Sequence, residues 1–141
     1  MMKDTTKLLE ELMQCSDFKK FYNENSEYIN NTSLADYLND IIEKKKLKKA
    51  EIIKKAEISE VYAYQIFSGT RKKPERNKLL CLAFGMELNL DETKELLKIS
   101  GYPQLYVKKP FDSVIIYAIC NQFTVMETNN LLYDYDLETI G

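Results

Sequence analysis

The segment "KAEIIKKAEISEVYAYQIFSG", residues 49–69, decides the fold class. Its apolar residues recur three or four positions apart, as they do on the buried face of a helix. Ser59 is suited to cap a second helix, Glu60 favours the positive end of that helix, and Gly69 is typical of a helix end. The segment therefore predicts a short helix, a turn and a second helix. The apolar positions expected between the two helices are Ile52, Ile53, Ala56, Ile58, Ala63 and Ile66.

The flanking sequence is also helical in pattern. Residues 3–24 predict one or two amphipathic helices, with Ser16 as the cap of the second, and a polar junction follows over residues 23–33. Ser33 begins another helix that reaches about Lys46. Pro74 cannot lie inside a helix, so "TRKKP" is expected to be a loop.

Two later segments resemble each other. Residues 75–97, "ERNKLLCLAFGMELNLDETKELL", align without a gap on residues 110–132, "PFDSVIIYAICNQFTVMETNNLL", at an offset of 35. Each predicts an apolar helix, a polar turn and a second helix that begins with a capping box, Asn89 to Glu92 and Thr124 to Glu127. The interpretation we favour is one helical hairpin built twice, with the second copy packed on the first. Chance similarity between two amphipathic hairpins is the alternative.

Charge is unevenly distributed along the chain. The net charge is −2, but residues 41–80 hold 12 Lys and Arg against 5 Asp and Glu, whereas the remainder holds 8 against 17. A basic middle between acidic arms indicates one candidate anion-binding face. A solvated lysine-rich helix surface explains the same counts.

Composition argues against several classes of protein. There is no histidine, no glycine-rich phosphate loop and no metal-ligand spacing, so we expect no catalytic residue, no metal and no cofactor, and not an enzyme. Three separated cysteines, Cys15, Cys81 and Cys120, suggest buried thiols in a reducing cytosol. With no long apolar run and no visible signal peptide, we expect no membrane association and a cytoplasmic location.

Residues 34–100 resemble the Cro/phage-repressor type of helix-turn-helix domain, also called the xenobiotic-response-element type. The resemblance is carried by Lys49–Glu51, by the apolar positions above, and by the "QIFSG" ending that leads through basic residues to Pro74. Glu57 departs from the family, which usually has Gly in the turn, and Ile53 stands where a small residue is usual. The resemblance implies an all-α, five-helix repressor-like domain with extra N-terminal helices and a C-terminal helical hairpin. The expected divisions are 1–30, 31–101 and 102–141.

The resemblance also implies sequence-specific binding of double-stranded DNA by a bacterial or phage transcriptional regulator. The second helix of the motif would lie in the major groove. Gln can pair with adenine, Glu can accept from cytosine, and Val can contact a thymine methyl. The base-facing positions are Ser59, Glu60, Val61, Tyr64, Gln65 and Ser68. The phosphate-binding positions are Lys48, Lys49, Thr70, Arg71, Lys72, Lys73 and Arg76.

Other interpretations remain open at this stage. Glu60 can serve only as a helix-cap charge, and the tyrosines Tyr62 and Tyr64 can serve only in packing. A protein-interaction adaptor or antitoxin-like module with the same fold is the alternative function. Such a partner would use the acidic N- or C-terminal helices. Regulators that resemble this chain often pair to bind two half-sites, so both a homodimer and a monomer are considered.

Overall fold

The computed structural model describes residues 5–25 and 33–141. The chain divides into two units, residues 1–32 and residues 33–141. The described parts contain helices and no strand, so the predicted all-α class is confirmed. The helices are α1 (Thr5–Gln14), α2 (Phe18–Asn25), α3 (Leu34–Lys45), α4 (Lys49–Ala56), α5 (Glu60–Ser68), α6 (Arg76–Gly85), α7 (Leu90–Ile99), α8 (Pro110–Cys120) and α9 (Val125–Asp134).

The described part of the first unit, residues 5–25, contains α1 and α2, which contact each other. Helix α2 does not begin after Ser16, as its sequence suggested. Instead Asp17 stands before the helix, and its Oδ1 accepts a hydrogen bond from the backbone N–H of Lys19 at 3.1 Å. A carboxylate is at least as good a cap as a hydroxyl, which explains the shift by one residue. Residues 26–32, which hold most of the predicted polar junction, lie outside the described residues.

Helix starts in the second unit follow the predicted caps. The Oγ of Ser33 accepts from the backbone N–H of Asp36, and that of Ser59 accepts from Tyr62, both at 3.1 Å. At the other end of α5, Gly69 has a φ of 84°, a left-handed conformation that glycine adopts without steric cost. These local signals fix the length and position of α5.

The core of the second unit draws on all seven of its helices. Helix α4 packs on α6, and α5 packs on α3. The predicted inner residues of α4 and α5 are buried, except that Ile53 is only half-buried. This packing directs one face of each helix inward and leaves the opposite face of α5 in solvent.

Glu57, the residue after α4, adopts the left-handed conformation with φ 55° and ψ 39°. A β-carbon makes this conformation cost about 1 kcal/mol relative to glycine. The Glu57 side chain is exposed, so replacing it removes no buried contact. We expect Glu57→Gly to raise the free energy of unfolding by about 1 kcal/mol in a denaturant titration. Glu57→Ala keeps the β-carbon and serves as the control. Equal stabilisation by both variants would show that the side chain, not the backbone, is responsible.

The two hairpins, α6 with α7 and α8 with α9, share the turn between their helices and the cap of the second helix. Both capping boxes are formed, at Asn89 with Glu92 and at Thr124 with Glu127. The turn residues Glu87 and Gln122, which are 35 positions apart, are both left-handed, with φ of 55° and 56°. This correspondence in caps and turns supports a repeated unit over chance similarity.

The C-terminal end folds back onto the second hairpin. The amide of Asn129 donates to the carbonyl of Ile140 and accepts from its N–H, each at 2.8 Å. Ile140 is buried in the core, and Leu137 is partly buried against the same core. Sequence inspection gave no role to these residues. The acidic stretch between the end of α9 and Ile140, residues 135–139, is therefore anchored at both ends.

Candidate nucleic-acid interface

The outer face of α5 carries the predicted base-facing residues. Ser59, Glu60, Val61, Tyr64 and Ser68 are exposed, with Val61 at 70% and Tyr64 at 42%, and Gln65 is half-buried. These residues, other than Ser59, line an open depression of about 560 Å³ together with Lys49 and Phe67. The face is therefore a shallow, mostly apolar depression that is open to solvent.

Lys49 brings positive charge to this depression from α4. Its Nζ lies 5.5 Å from the centre of the Phe67 ring, close enough for a cation–π contact. Phe67 in turn meets Tyr64 edge-on at 6.3 Å. Tyr64 is therefore partly exposed and also packed against Phe67.

Gln65 and Arg71 are joined by a fork of hydrogen bonds. The Nε and Nη2 atoms of Arg71 both donate to Oε1 of Gln65, at 3.1 and 2.8 Å. The backbone N–H of Arg71 also donates to the carbonyl of Gln65, at 3.0 Å. One predicted base-facing residue and one predicted phosphate-binding residue are therefore a single hydrogen-bonded pair.

Two tyrosines hold the basic loop, residues 70–75, in position. The Arg71 guanidinium lies 4.2 Å from the centre of the Tyr62 ring, and the Tyr62 hydroxyl accepts from the backbone N–H of Glu75 at 3.0 Å. Tyr102 donates its hydroxyl to the carbonyl of Pro74, and Lys73 lies over its ring at 5.1 Å. The charged side chains of the loop therefore extend from a backbone that Tyr62 and Tyr102 hold in place.

The remaining predicted phosphate-binding residues have different surroundings. Lys48, Thr70 and Lys72 are exposed, and the Thr70 hydroxyl shares a 3.0 Å hydrogen bond with that of Ser68. Within the described residues Lys72 has no hydrogen bond, ion pair or ring contact, which leaves its ammonium available for an external anion. Lys48 stands just before α4 without capping it through its side chain.

Arg76, unlike the other predicted phosphate-binding residues, is paired with a buried carboxylate. Its Nη1 lies 3.3 Å from Oδ1 of Asp112, and its Nε and Nη2 donate to the carbonyl of Pro103 at 3.4 and 3.2 Å. Asp112 is buried, and its other oxygen accepts from the backbone N–H of Tyr106 at 3.0 Å. Arg76 thus ties the start of the first hairpin to the start of the second.

Sequence inspection missed the supporting role of Tyr62 and Tyr102. Packing, one of the interpretations left open for Tyr62, is correct for its ring, but no sequence pattern indicates the contact of its hydroxyl with the loop. Tyr102 lies 28 residues beyond its partner Pro74, so no local pattern could have pointed to it. Only the way that α6 and α7 fold back against the loop brings these groups together.

Three titratable groups among the described residues have shifted pKa values. Burial raises the pKa of the Cys81 thiol to about 11. Burial, followed by repulsion from Glu92 and Glu95, raises the pKa of the Tyr37 hydroxyl to about 12. Both groups therefore remain protonated at neutral pH. The Glu92 pKa is lowered, because hydrogen bonds from Lys45 and from the backbone of Asn89, with the Lys45 charge, outweigh the opposing effect of burial.

The cysteines differ from their expected environment. Of the three, only Cys81 is buried, while Cys15 is half-exposed and Cys120 is exposed. Residues 5–25 and 33–141 contain no group of three side chains able to hold a metal ion. No helix in those ranges is long and apolar enough to cross a membrane.

No protein-family model matches the chain, and neither a curated protein nor a solved structure matches it.

Proposed function

We propose that this protein binds double-stranded DNA in a sequence-specific manner as a transcriptional regulator. In this proposal helices α3 to α7 form a five-helix, repressor-like helix-turn-helix domain. Helix α5 enters the major groove, and its outer face meets the base edges. The basic loop and the start of α4 contact the flanking phosphates.

The observation that carries the proposal is the junction of the outer face of α5 with the basic loop. Arg71 is bonded to Gln65 and stacked on Tyr62, so loop charge is fixed beside the α5 face. Lys49 supplies charge to the same depression from α4. Side chains already held in their binding geometry lose less conformational entropy when they bind. Phosphate contacts of this kind position a protein, while the groups between them select the sequence.

Glu60 fits this arrangement in a specific way. It is exposed at the first position of α5 and lines the depression that contains Lys49. A carboxylate there favours a cytosine amino group and disfavours phosphate or any base that offers only acceptors. Affinity then comes from the surrounding cations, and Glu60 contributes discrimination.

Salt dependence of binding to a short random-sequence duplex tests the proposal. We expect log affinity to fall linearly with log salt between about 50 and 200 mM, because bound phosphates release counterions. Lys72→Glu with Lys73→Glu should weaken binding at low salt by more than about tenfold and flatten the slope by about two.

The control is the same charge change on α7, Lys94→Glu with Lys98→Glu, where both lysines are exposed and lie outside the basic segment. It should leave most of the affinity intact. An equal loss in both variants would indicate a general charge effect instead of this interface. No binding of the wild-type protein to any duplex at low salt would rule out the DNA-binding function.

A protein partner is the second candidate, and exposed tyrosines on the second hairpin favour it. Tyr117, Tyr133 and Tyr135 are 54%, 77% and 66% exposed. Asp134 and Asp136 are exposed and adjoin Tyr133 and Tyr135 in the sequence, so this stretch combines aromatic and acidic groups. Tyrosine is enriched at protein interfaces because it offers a large apolar ring with a polar end. The same region could serve a second copy of this chain, and sedimentation would distinguish a homodimer from a monomer.

A further inference from the structure

The carboxamide of Gln65 is oriented by Arg71 before any ligand arrives. Its Oε1 receives two N–H groups from one guanidinium, at 3.1 and 2.8 Å. The guanidinium is itself held from the side by the Tyr62 ring at 4.2 Å. A backbone hydrogen bond from Arg71 to the Gln65 carbonyl, at 3.0 Å, fixes the two residues relative to each other. Rotation of the carboxamide would break both side-chain bonds at once.

This arrangement determines which hydrogen-bonding groups remain at the α5 face. A carboxamide oxygen has two acceptor lone pairs, and both are used by Arg71. The Nε2 of Gln65 keeps its donors, and the unused N–H groups of Arg71 are donors only. The Gln65–Arg71 pair therefore presents donors and no free acceptor to a ligand.

From this donor-only pair we infer that Gln65 selects guanine rather than adenine, and that Arg71 is the residue that sets this preference. Guanine presents two acceptors, N7 and O6, in the major groove. Adenine presents one acceptor, N7, and one donor, the N6 amino group, and the usual glutamine–adenine pair needs a free Oε1 to accept from N6. With Oε1 occupied, the N6 amino group of adenine has no acceptor. The inference rests on the proposed DNA-binding function and replaces the adenine contact expected from the sequence.

Thymine and cytosine fit the pair less well than guanine. Thymine offers O4 as a single major-groove acceptor, beside its methyl group, and cytosine offers an amino donor. Two adjacent acceptors match two adjacent donors, so guanine satisfies the most hydrogen bonds. The expected order of preference at this position is guanine, then thymine, then adenine and cytosine.

Binding selection from a randomised duplex, carried out with the full chain, tests the inference. Gln65→Ala locates the relevant base pair as the one whose preference disappears. The wild-type protein should select guanine there. Arg71→Ala frees Oε1, so guanine preference over adenine should fall by about tenfold, within the range of a lost bidentate pair.

Lys72→Ala is the matched control, because it removes an exposed charge of the same loop that makes no hydrogen bond, ion pair or ring contact within the described residues. It should weaken binding to all sequences alike and leave the base preference unchanged. Circular dichroism establishes that each variant is folded. If Arg71→Ala does not fold, Arg71→Lys retains the charge, loses the planar fork, and should shift the preference in the same direction.

The outcomes distinguish the proposed DNA-binding function from the inferred guanine preference. Selection of adenine by the wild-type protein, or an unchanged preference in folded Arg71 variants, would overturn the inference while leaving DNA binding intact. A Gln65→Ala variant with no altered position would also overturn it. Failure of the wild-type protein to bind any duplex would remove the proposed function and the inference with it.

Discussion

Gly85→Ala is expected to lower the free energy of unfolding by about 3 kcal/mol. Gly85 is the last residue of α6, at the point where this helix packs on α4. A β-carbon there would lie 2.6 Å from the carbonyl oxygen of Ile52 and 2.8 and 2.9 Å from Cβ and N of Ala56. Two of these three atoms belong to the backbone and cannot turn aside. The helices would have to separate, which disturbs the support of the candidate DNA-binding face.

The second hairpin supplies a matched control for this prediction. Cys120 stands at the equivalent position, 35 residues later, but its side chain is exposed. Cys120→Ala should therefore change stability by less than about 0.5 kcal/mol. Denaturant unfolding followed by circular dichroism measures both variants. If Gly85→Ala were as stable as the wild-type protein, the close approach of α4 and α6 would be wrong.

Arg76→Ala is expected to cost about 3 kcal/mol, because it leaves a buried carboxylate without its cation. The side chain of Asp112 is only 4% exposed, so solvent cannot replace the lost partner easily. The carbonyl of Pro103 loses its hydrogen bonds from Arg76 at the same time. The same substitution should affect DNA binding by the folded protein less than Lys72→Ala does, because the Arg76 guanidinium is already engaged within the protein.

The double variant Arg76→Ala with Asp112→Asn tests the source of the loss. Asparagine retains an oxygen for the N–H of Tyr106 and removes the charge, so it should recover about 1 to 2 kcal/mol. Thermal or denaturant unfolding of the single and double variants gives the comparison. No recovery would mean that the unpaired carboxylate is not the cause of the instability. A Lys72→Ala effect no larger than that of Arg76→Ala on DNA affinity would contradict the assignment of Arg76 to structure.

Several parts of the candidate interface were predictable because they depend on nearby residues. Ser59 and Gly69 fix the ends of α5 through hydrogen bonds and dihedral angles within one turn of themselves. Once those ends and the inner residues Ala63 and Ile66 are known, helical periodicity gives the outward positions. Helical periodicity does not say which other residue each outward side chain will contact. Arg71 was expected to face phosphate, and its bonds to Gln65 depend on how the chain turns after Gly69.

The all-α class, the starts of α3, α5, α7 and α9, and the two capping boxes followed from the sequence alone, because caps, turns and periodicity act over a few residues. The remaining contacts needed the packed fold. It brought Tyr102 to Pro74, Arg76 to Asp112, and the backbone of α4 against Gly85. These contacts join residues that are far apart in the chain, and they form only when whole helices pack. The donor-only surface of Gln65 and Arg71 likewise depends on a folded loop, since neither side chain has a fixed hydrogen-bonding pattern on its own.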